Sequence, residues 1–166
     1  MQEDLQMSKD IVITMQDGGV IKAELYPQTA PITVENFVKL IEQKFFDGLV
    51  FHRVISGFMI QGGGYDEAGD HKETESIKGE FAANGVTNDL KHTRGVLSMA
   101  RTSFPNSASS QFFIMHQDAP HLDGQYAAFG MVTEGMDVVD KIAGTKTNFM
   151  DQPVEPQVIA SIRMAE

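Results

Sequence analysis

A chain of 166 residues that is 42% hydrophobic and 22% charged has the apolar content for one core of ordinary size and too much of it for disorder. Its formal net charge of -10 and isoelectric point near 4.8 argue against a nucleic-acid partner, which needs clustered Lys and Arg. With no cysteine, it has no disulfide framework, no thiolate nucleophile and no cysteine-ligated metal. Residues 1–7 are acidic and lack the basic region and apolar run of a signal peptide, and no segment approaches membrane-spanning length. The expectation is a cytoplasmic, non-membrane protein of one domain over 1–166, with 1–9 a flexible extension.

Residues 11–15 and 20–25 are strand-like and are joined by Gln16-Asp17-Gly18-Gly19, whose Asp-Gly pair predicts a hairpin. Thr29-Ala30-Pro31-Ile32-Thr33 supplies capping residues and an early proline ahead of Val34, Phe37, Val38 and Ile41, the stripe of an amphipathic helix whose Phe37 and Val38 read as core. Two short strand-like runs, 51–55 and 58–61, flank a Ser56-Gly57 bend and place a cation, Arg53, and an amide, Gln61, beside Phe58 and Met59. The plain alternative is an arginine reaching from an edge strand to water. Gly62-Gly63-Gly64 reads as backbone freedom at a strand end.

Residues 65–91 dissolve into Gly, Asp, Glu, Lys and Asn, with Ile77 and Phe81 as apolar anchors, and read as a functional loop. A strand at 95–100 and a polar excursion at 101–110 lead to a strand at 111–115, where alternation puts Gln111 and Phe113 on one face. A loop over 116–125 ends in the turn Asp123-Gly124 and a strand follows at 127–132. Met136, Val139 and Ile142 predict a short second helix stopped by Gly144, and 158–164 is the last strand. Many short strands with two helices and no regular alternation predict a mainly-β fold, a closed or nearly closed antiparallel barrel with a filled interior. A ligand then sits on its outer face or under its loops.

Most chemical constellations fail. The five histidines, His52, His71, His92, His116 and His121, have no metal-ligand spacing and read as surface or supporting residues. The glycine run lacks the Lys-Ser or Lys-Thr and the helix of a phosphate cradle, and the acidic clusters lack a calcium-loop pattern. No serine sits in a nucleophile elbow. What remains is an apolar surface with a fixed cation and an amide, which suits a reaction that needs no acid or base: rotation about an Xaa-Pro bond. Amide resonance sets a barrier of about 18–20 kcal/mol, and spontaneous exchange takes tens to hundreds of seconds. Reaching milliseconds takes about five decades, or roughly 7 kcal/mol. A guanidinium donating to the prolyl nitrogen stabilises the twisted state selectively, because that lone pair is free only when resonance is lost. Phe58, Met59, Phe113 and Leu122 suit the proline ring, and Gln61 and Gln111 the substrate backbone.

Residues 50–63, 95–100, 109–114, Leu122-Asp123-Gly124 and Phe129-Gly130, with Ala30-Pro31 and Thr33-Val34-Glu35-Asn36-Phe37, resemble the cyclophilin family of peptidyl-prolyl cis-trans isomerases over nearly the whole stretch 11–164. The resemblance is strongest to small bacterial cytoplasmic members. It implies an eight-stranded antiparallel β-barrel capped by two α-helices, catalytic Arg53, a proline pocket of Phe58, Met59, Phe113 and Leu122, and peptide contacts at Gln61, Ala100, Arg101 and Gln111. His121 and Tyr126 fall at the groove edge. His121 stands where well-known members carry a tryptophan that contacts cyclosporin, Arg101 where asparagine is common and Tyr126 where histidine is frequent. Reduced affinity for cyclosporin-type inhibitors follows. The implied partners are proline-containing peptides and folding proteins, met by a monomer without cofactor or metal. A non-catalytic proline-peptide or chaperone-like module remains the alternative. A hydrolase is disfavoured because no nucleophile and base are seen assembled.

Overall fold

The computed structural model describes residues 8–165. Strands β1 (Lys9–Met15) and β2 (Val20–Leu25) form the expected hairpin, with Met15 and Gly19 hydrogen-bonded across the turn and Gly18 at φ 97°. β1 starts ahead of residue 11: Lys9, expected in the flexible extension, is paired with Leu25, while the rest of that extension up to residue 7 lies outside the described residues. Helix α1 (Pro31–Glu42) follows, then β3 (Leu49–Ile55), β4 (Met59–Asp66), β5 (Val96–Met99), β6 (Phe112–Met115), β7 (Ala128–Glu134), helix α2 (Met136–Ala143) and β8 (Ile159–Met164). These eight strands form one antiparallel sheet in the order β3-β4-β6-β5-β7-β2-β1-β8. Its two edges meet through a Val50–Val158 bridge and the bonds Gly48 N to Ile159 O (2.8 Å) and Phe51 N to Gln157 O (3.0 Å), so the barrel is nearly closed.

The barrel is plugged by aromatic rings. Phe37 of α1 lies 4.9 Å from Phe46, 5.2 Å from Phe112 and 5.0 Å from Phe129 between ring centroids. Edge-to-face and tilted contacts of this kind add to the burial of each ring. α1 buries Val34, Phe37, Leu40 and Ile41; Val38, expected in the core, is half-buried, and Leu40 takes the position it was assigned. The helix has no side-chain cap of its own either. Its Thr33 gives both its backbone N–H (2.6 Å) and its hydroxyl (2.7 Å) to Oε1 of Glu80, a buried carboxylate from the loop 65–91. A carboxylate there satisfies free N–H groups and faces the positive end of the helix dipole.

The filled interior leaves the outer face for function, and strand alternation decides what stands there. In β6, Phe112 and Ile114 point into the barrel, whereas Phe113 and Met115 point out and join Met59, Val96, Ala119, Leu122 and Ala128 in a second apolar cluster. The glycine run is not at a strand end: Gly62, Gly63 and Gly64 lie inside β4, beside the irregular β3–β4 register. A Cβ at Gly62 would meet Val50 O at 2.7 Å, and Gly63 has φ 92°. Here the glycines permit close approach of neighbouring backbone.

Candidate functional site

One cross-strand row builds the floor of the site. Arg53 of β3 pairs with Gln61 of β4, Gln61 pairs with Phe113 of β6, and Phe113 pairs with Ser98 of β5. Residues directly opposite in adjacent strands stand on one face. The row therefore presents a cation, an amide and an aromatic ring together on the outside of the barrel.

Loops supply the walls. The turn at Ser56-Gly57, with Gly57 at φ 81° and its N–H donated to His116 Nδ1 at 2.8 Å, sets Phe58 beside Met59 at the head of β4. A short 3-10 turn, Pro120–Leu122, brings down Leu122, only 7% exposed. Past the end of β5, the Ala100 N–H donates to Gln111 O at 3.0 Å. The result is a recess of about 150 Å³ lined by Arg53, Phe58, Met59, Gln61, Ala100, Arg101, Phe113, Leu122 and Tyr126. Two other expected site residues stand just outside it. Gln111 accepts a hydrogen bond from Gln61 Nε2 at 2.9 Å, and exposed His121 faces the Phe58 ring at 5.8 Å.

The two arginines differ in freedom. Arg53 is exposed, makes no ion pair among the described residues, and has one long contact, Nη1 to Gln61 Oε1 at 3.5 Å, so its donors are available. Arg101 is fastened: its Nε and Nη2 donate to Gln125 O (3.0 and 2.7 Å), Nη1 donates to Thr102 O (2.9 Å), and the guanidinium lies over both Phe81 and Tyr126 at 4.7 and 4.8 Å. It serves as wall, held by cation–π contacts. Its bed is Phe81, which the loop 65–91 contributes; that loop is tied down by Glu80 to Thr33, and by Asn88 Nδ2 to Glu80 O and Ala128 O (2.9 Å each).

A supporting layer, whose partners sequence reasoning did not pair, lies beneath. His92, 1% exposed, stacks on Phe113 with ring centroids 6.0 Å apart and meets Tyr126 edge-on. Its Nδ1 is 3.1 Å from Asp123 Oδ1 and its Nε2 2.8 Å from Ser98 Oγ. Since a carboxylate only accepts, the proton belongs on Nδ1, and Nε2 accepts from the serine. A Ser-His-Asp arrangement is thus assembled after all, contrary to the expectation. Ser98 is 0% exposed, however, beneath the apolar face, so its oxygen reaches no acyl group and the hydrolase reading gains nothing. Burial holds the His92 imidazole below its ordinary range, outweighing the neighbouring carboxylate. His92 and Asp123 are 31 residues apart, and only the fold of the intervening strands brings them together.

Beyond this recess, past Arg53 and Gln111, opens a larger cavity of about 790 Å³. His52 lines it, its ring 4.7 Å from that of Tyr65, and burial, then the charges of Arg53 and His71, lower its pKa to about 4.

Comparison with known proteins agrees with this architecture. Residues 11–164 match the model of the cyclophilin type peptidyl-prolyl cis-trans isomerase/CLD family. A peptidyl-prolyl cis-trans isomerase of Acinetobacter baylyi is 48% identical over 156 residues, 88% of this chain and 80% of the relative. Peptidyl-prolyl cis-trans isomerase B of Escherichia coli is 42% identical over 161 residues, 89% and 95% of the two chains. The crystal structure of a Cryptosporidium parvum cyclophilin type isomerase superposes with a TM-score of 0.83 at 27% identity, covering 96% of this chain and 99% of that one. The same parasite protein has also been crystallised in the presence of the dipeptide Ala-Pro, where the TM-score is 0.81 at 28% identity.

Proposed function

The chain belongs to the cyclophilin-type peptidyl-prolyl cis-trans isomerases, and from that premise we propose that its catalytic residue is Arg53 and its proline pocket the recess beside it. The ring of an Xaa-Pro substrate lies against Phe58, Met59, Phe113 and Leu122. The free guanidinium of Arg53 donates to the prolyl nitrogen as it pyramidalises, lowering the energy of the twisted state more than that of either planar isomer. Gln61, Gln111 and the backbone at Ala100 hold the flanking peptide. Substrates are proline-containing peptides and folding chains. The observation that carries this reading is that a cation without an ion-pair partner among the described residues borders a recess of proline size walled in part by Phe58, Met59, Phe113 and Leu122.

The rest of the wall supports the assignment. Apolar surface sequesters the ring without competing for the guanidinium, and Arg stays charged at any working pH. Exposed His121 offers less apolar area beside Phe58 than an indole, which is the physical reason to expect weak binding of cyclosporin-type inhibitors. The test is cis-trans exchange of a proline peptide measured by NMR. Wild type accelerates exchange, and Arg53→Ala retains the fold while losing about a hundredfold in kcat/KM, the scale of one lost transition-state donor. Equal exchange with both proteins would exclude the mechanism, and no acceleration by wild type would leave a binding module.

A further inference from the structure

The larger cavity beside the catalytic recess belongs to neither the proline pocket nor the core. At about 790 Å³ it exceeds the 150 Å³ of the recess and falls within the usual range of ligand sites. Arg53 borders both, and Gln111, whose carbonyl oxygen takes the Gln61 amide, lines the larger one. The two spaces therefore adjoin, with Arg53 at the divide.

Its far wall is built to present apolar side chains. The segment 148–154 folds back on itself: Asn148 Oδ1 accepts from the N–H groups of Met150 (2.9 Å) and Gln152 (3.1 Å), Asn148 N donates to Gln152 O (2.9 Å), and Thr147 and Pro153 pair. Val54 N of β3 donates to Asp151 O at 2.8 Å and pins the fold to the barrel, with Asp151 at φ 62°. Inside this well-bonded frame Met150 is 62% and Val154 57% exposed, and both line the cavity. The frame holds these two side chains in one wall of the cavity, where their apolar area is open to a ligand's apolar side chain.

The opposite rim is acidic. Asp66 and Glu67 line it where β4 ends. Asp66 caps its own turn by accepting from the Ala68 and Asp70 N–H groups (3.0 and 2.9 Å), whereas Glu67 is exposed and has no hydrogen-bond or ion-pair partner among the described residues. Apart from Arg53, no Lys or Arg among the described residues lines the cavity, in a chain of net charge -10. His52 Nδ1, buried in the wall, is also without a hydrogen-bond partner among the described residues.

We propose that this cavity is a subsite for the stretch of polypeptide flanking the isomerised proline, selecting a bulky apolar residue next to a Lys or Arg. The apolar side chain covers Met150 and Val154, and the cation faces Glu67. An extended chain advances about 3.3–3.6 Å per residue, so two or three residues on one side of the proline cross Arg53 and enter. The subsite rests on the assignment of Arg53 and the recess to catalysis, and it makes the enzyme selective for basic, apolar clients.

The test compares a short Ala-Pro peptide with peptides extended by Leu-Lys or by Leu-Glu, on either side of the proline, by NMR exchange kinetics. The Leu-Lys extension on one side lowers KM about tenfold at low salt relative to the short peptide, and Leu-Glu does not. Glu67→Lys abolishes or reverses the Lys preference, Met150→Ser weakens both extended peptides, and both variants turn over the short peptide as wild type does. The methyl resonance of Met150, followed during titration with the Leu-Lys peptide, reads occupancy without reference to turnover. If wild type fails on the short peptide, the catalytic assignment falls, and a Met150 shift still decides the subsite. Equal KM for all peptides, a Lys preference that survives Glu67→Lys, or an unmoved Met150 methyl overturns the proposal.

Discussion

The side-chain amide of Gln61 donates to Oε1 of Gln111 at 2.9 Å, which turns the Gln61 carbonyl oxygen toward Arg53. Gln61 has one oxygen and one NH2, so the bond to Gln111 decides which of them the guanidinium meets. At 3.5 Å the contact to Arg53 is too long to pin it and short enough to bias it. Gln61→Ala removes the bias and leaves the strands paired. Its expected effect is a loss of about tenfold in kcat/KM, about 1.4 kcal/mol of transition-state stabilisation, with little change in the urea midpoint. Exchange kinetics on one peptide, with a denaturation curve as control, check it. An unchanged rate would mean Arg53 finds its position without the amide.

Gly64 guards the same arrangement from the other side. A Cβ there would stand 2.5 Å from both Cγ and Nε2 of Gln111. Unlike Gly63, it needs no left-handed backbone, so alanine fits the strand and displaces only the glutamine. Gly64→Ala is expected to raise KM severalfold with a native-like spectrum, through loss of the Gln111–Gln61 bond. A crystal structure of the variant with Gln111 unmoved would contradict this.

Glu80 links helix α1 to the wall of the site. Glu80→Ala strands the Thr33 N–H and hydroxyl in a buried position, and a cap loss of this kind costs about 1–2 kcal/mol. Because Phe81, beneath Arg101, is the next residue, the variant is also expected to lose catalytic efficiency, whereas Glu80→Gln, which keeps an acceptor oxygen, loses less of both. Urea midpoints and kcat/KM measured together separate the two effects. Stability lost without any change in kcat/KM would show the loop to be only structural.

What the sequence made legible follows the reach of its signals. Local patterns placed the hairpin at Asp17-Gly18, both helices and the eight strands, because period and turn chemistry are read within a few residues. Resemblance supplied Ala100, Arg101 and Tyr126, which the fold gathers around one recess with Arg53. Hidden were the groups whose meaning depends on distant partners. Glu80 looked like one more loop acid until the fold brought it to Thr33, 47 residues away. His92 read as a surface or supporting histidine; the structure gives it the supporting role, and what stayed hidden was its partners, Ser98 and Asp123 beneath Phe113. The glycine run was misread for the same reason, since the backbone that crowds Gly62 belongs to Val50 and Phe51 of another strand.

Two imidazoles, buried His92 and partly buried His52, are expected to make the protein acid-sensitive in a window of their own. Burial lowers the pKa of His92 against the pull of Asp123, with His121 nearby adding to the depression; for His52 burial, Arg53 and His71 together bring it to about 4. In the unfolded chain both return to water and titrate near the usual value of about 6.5. Below that pH the unfolded state binds protons that the folded state refuses, so stability falls as pH falls, by at most about 1.4 kcal/mol per pH unit for each fully excluded proton. Partly buried His52 contributes less than that limit, and its share stops growing once the folded ring itself takes a proton near pH 4. Carboxylates behave oppositely in position. Asp47 beside Arg163, Asp140 beside Arg94 and Asp17 bonded to Gly19 N–H all lie below the ordinary carboxylate range, so their stabilisation is complete above about pH 4 and is lost only beneath it. Between pH 6.5 and 5 the histidines therefore dominate. The urea midpoint is expected to fall steadily across that interval, and His52→Gln to flatten the fall. Asp47→Asn, which removes the partner of Arg163, should lower the midpoint by the same amount throughout that interval and leave its slope unchanged. A wild-type midpoint that stays level from pH 6.5 to 5 would show that both rings accept protons inside the folded protein, and that the packing of His92 against Phe113 excludes charge less than its burial implies.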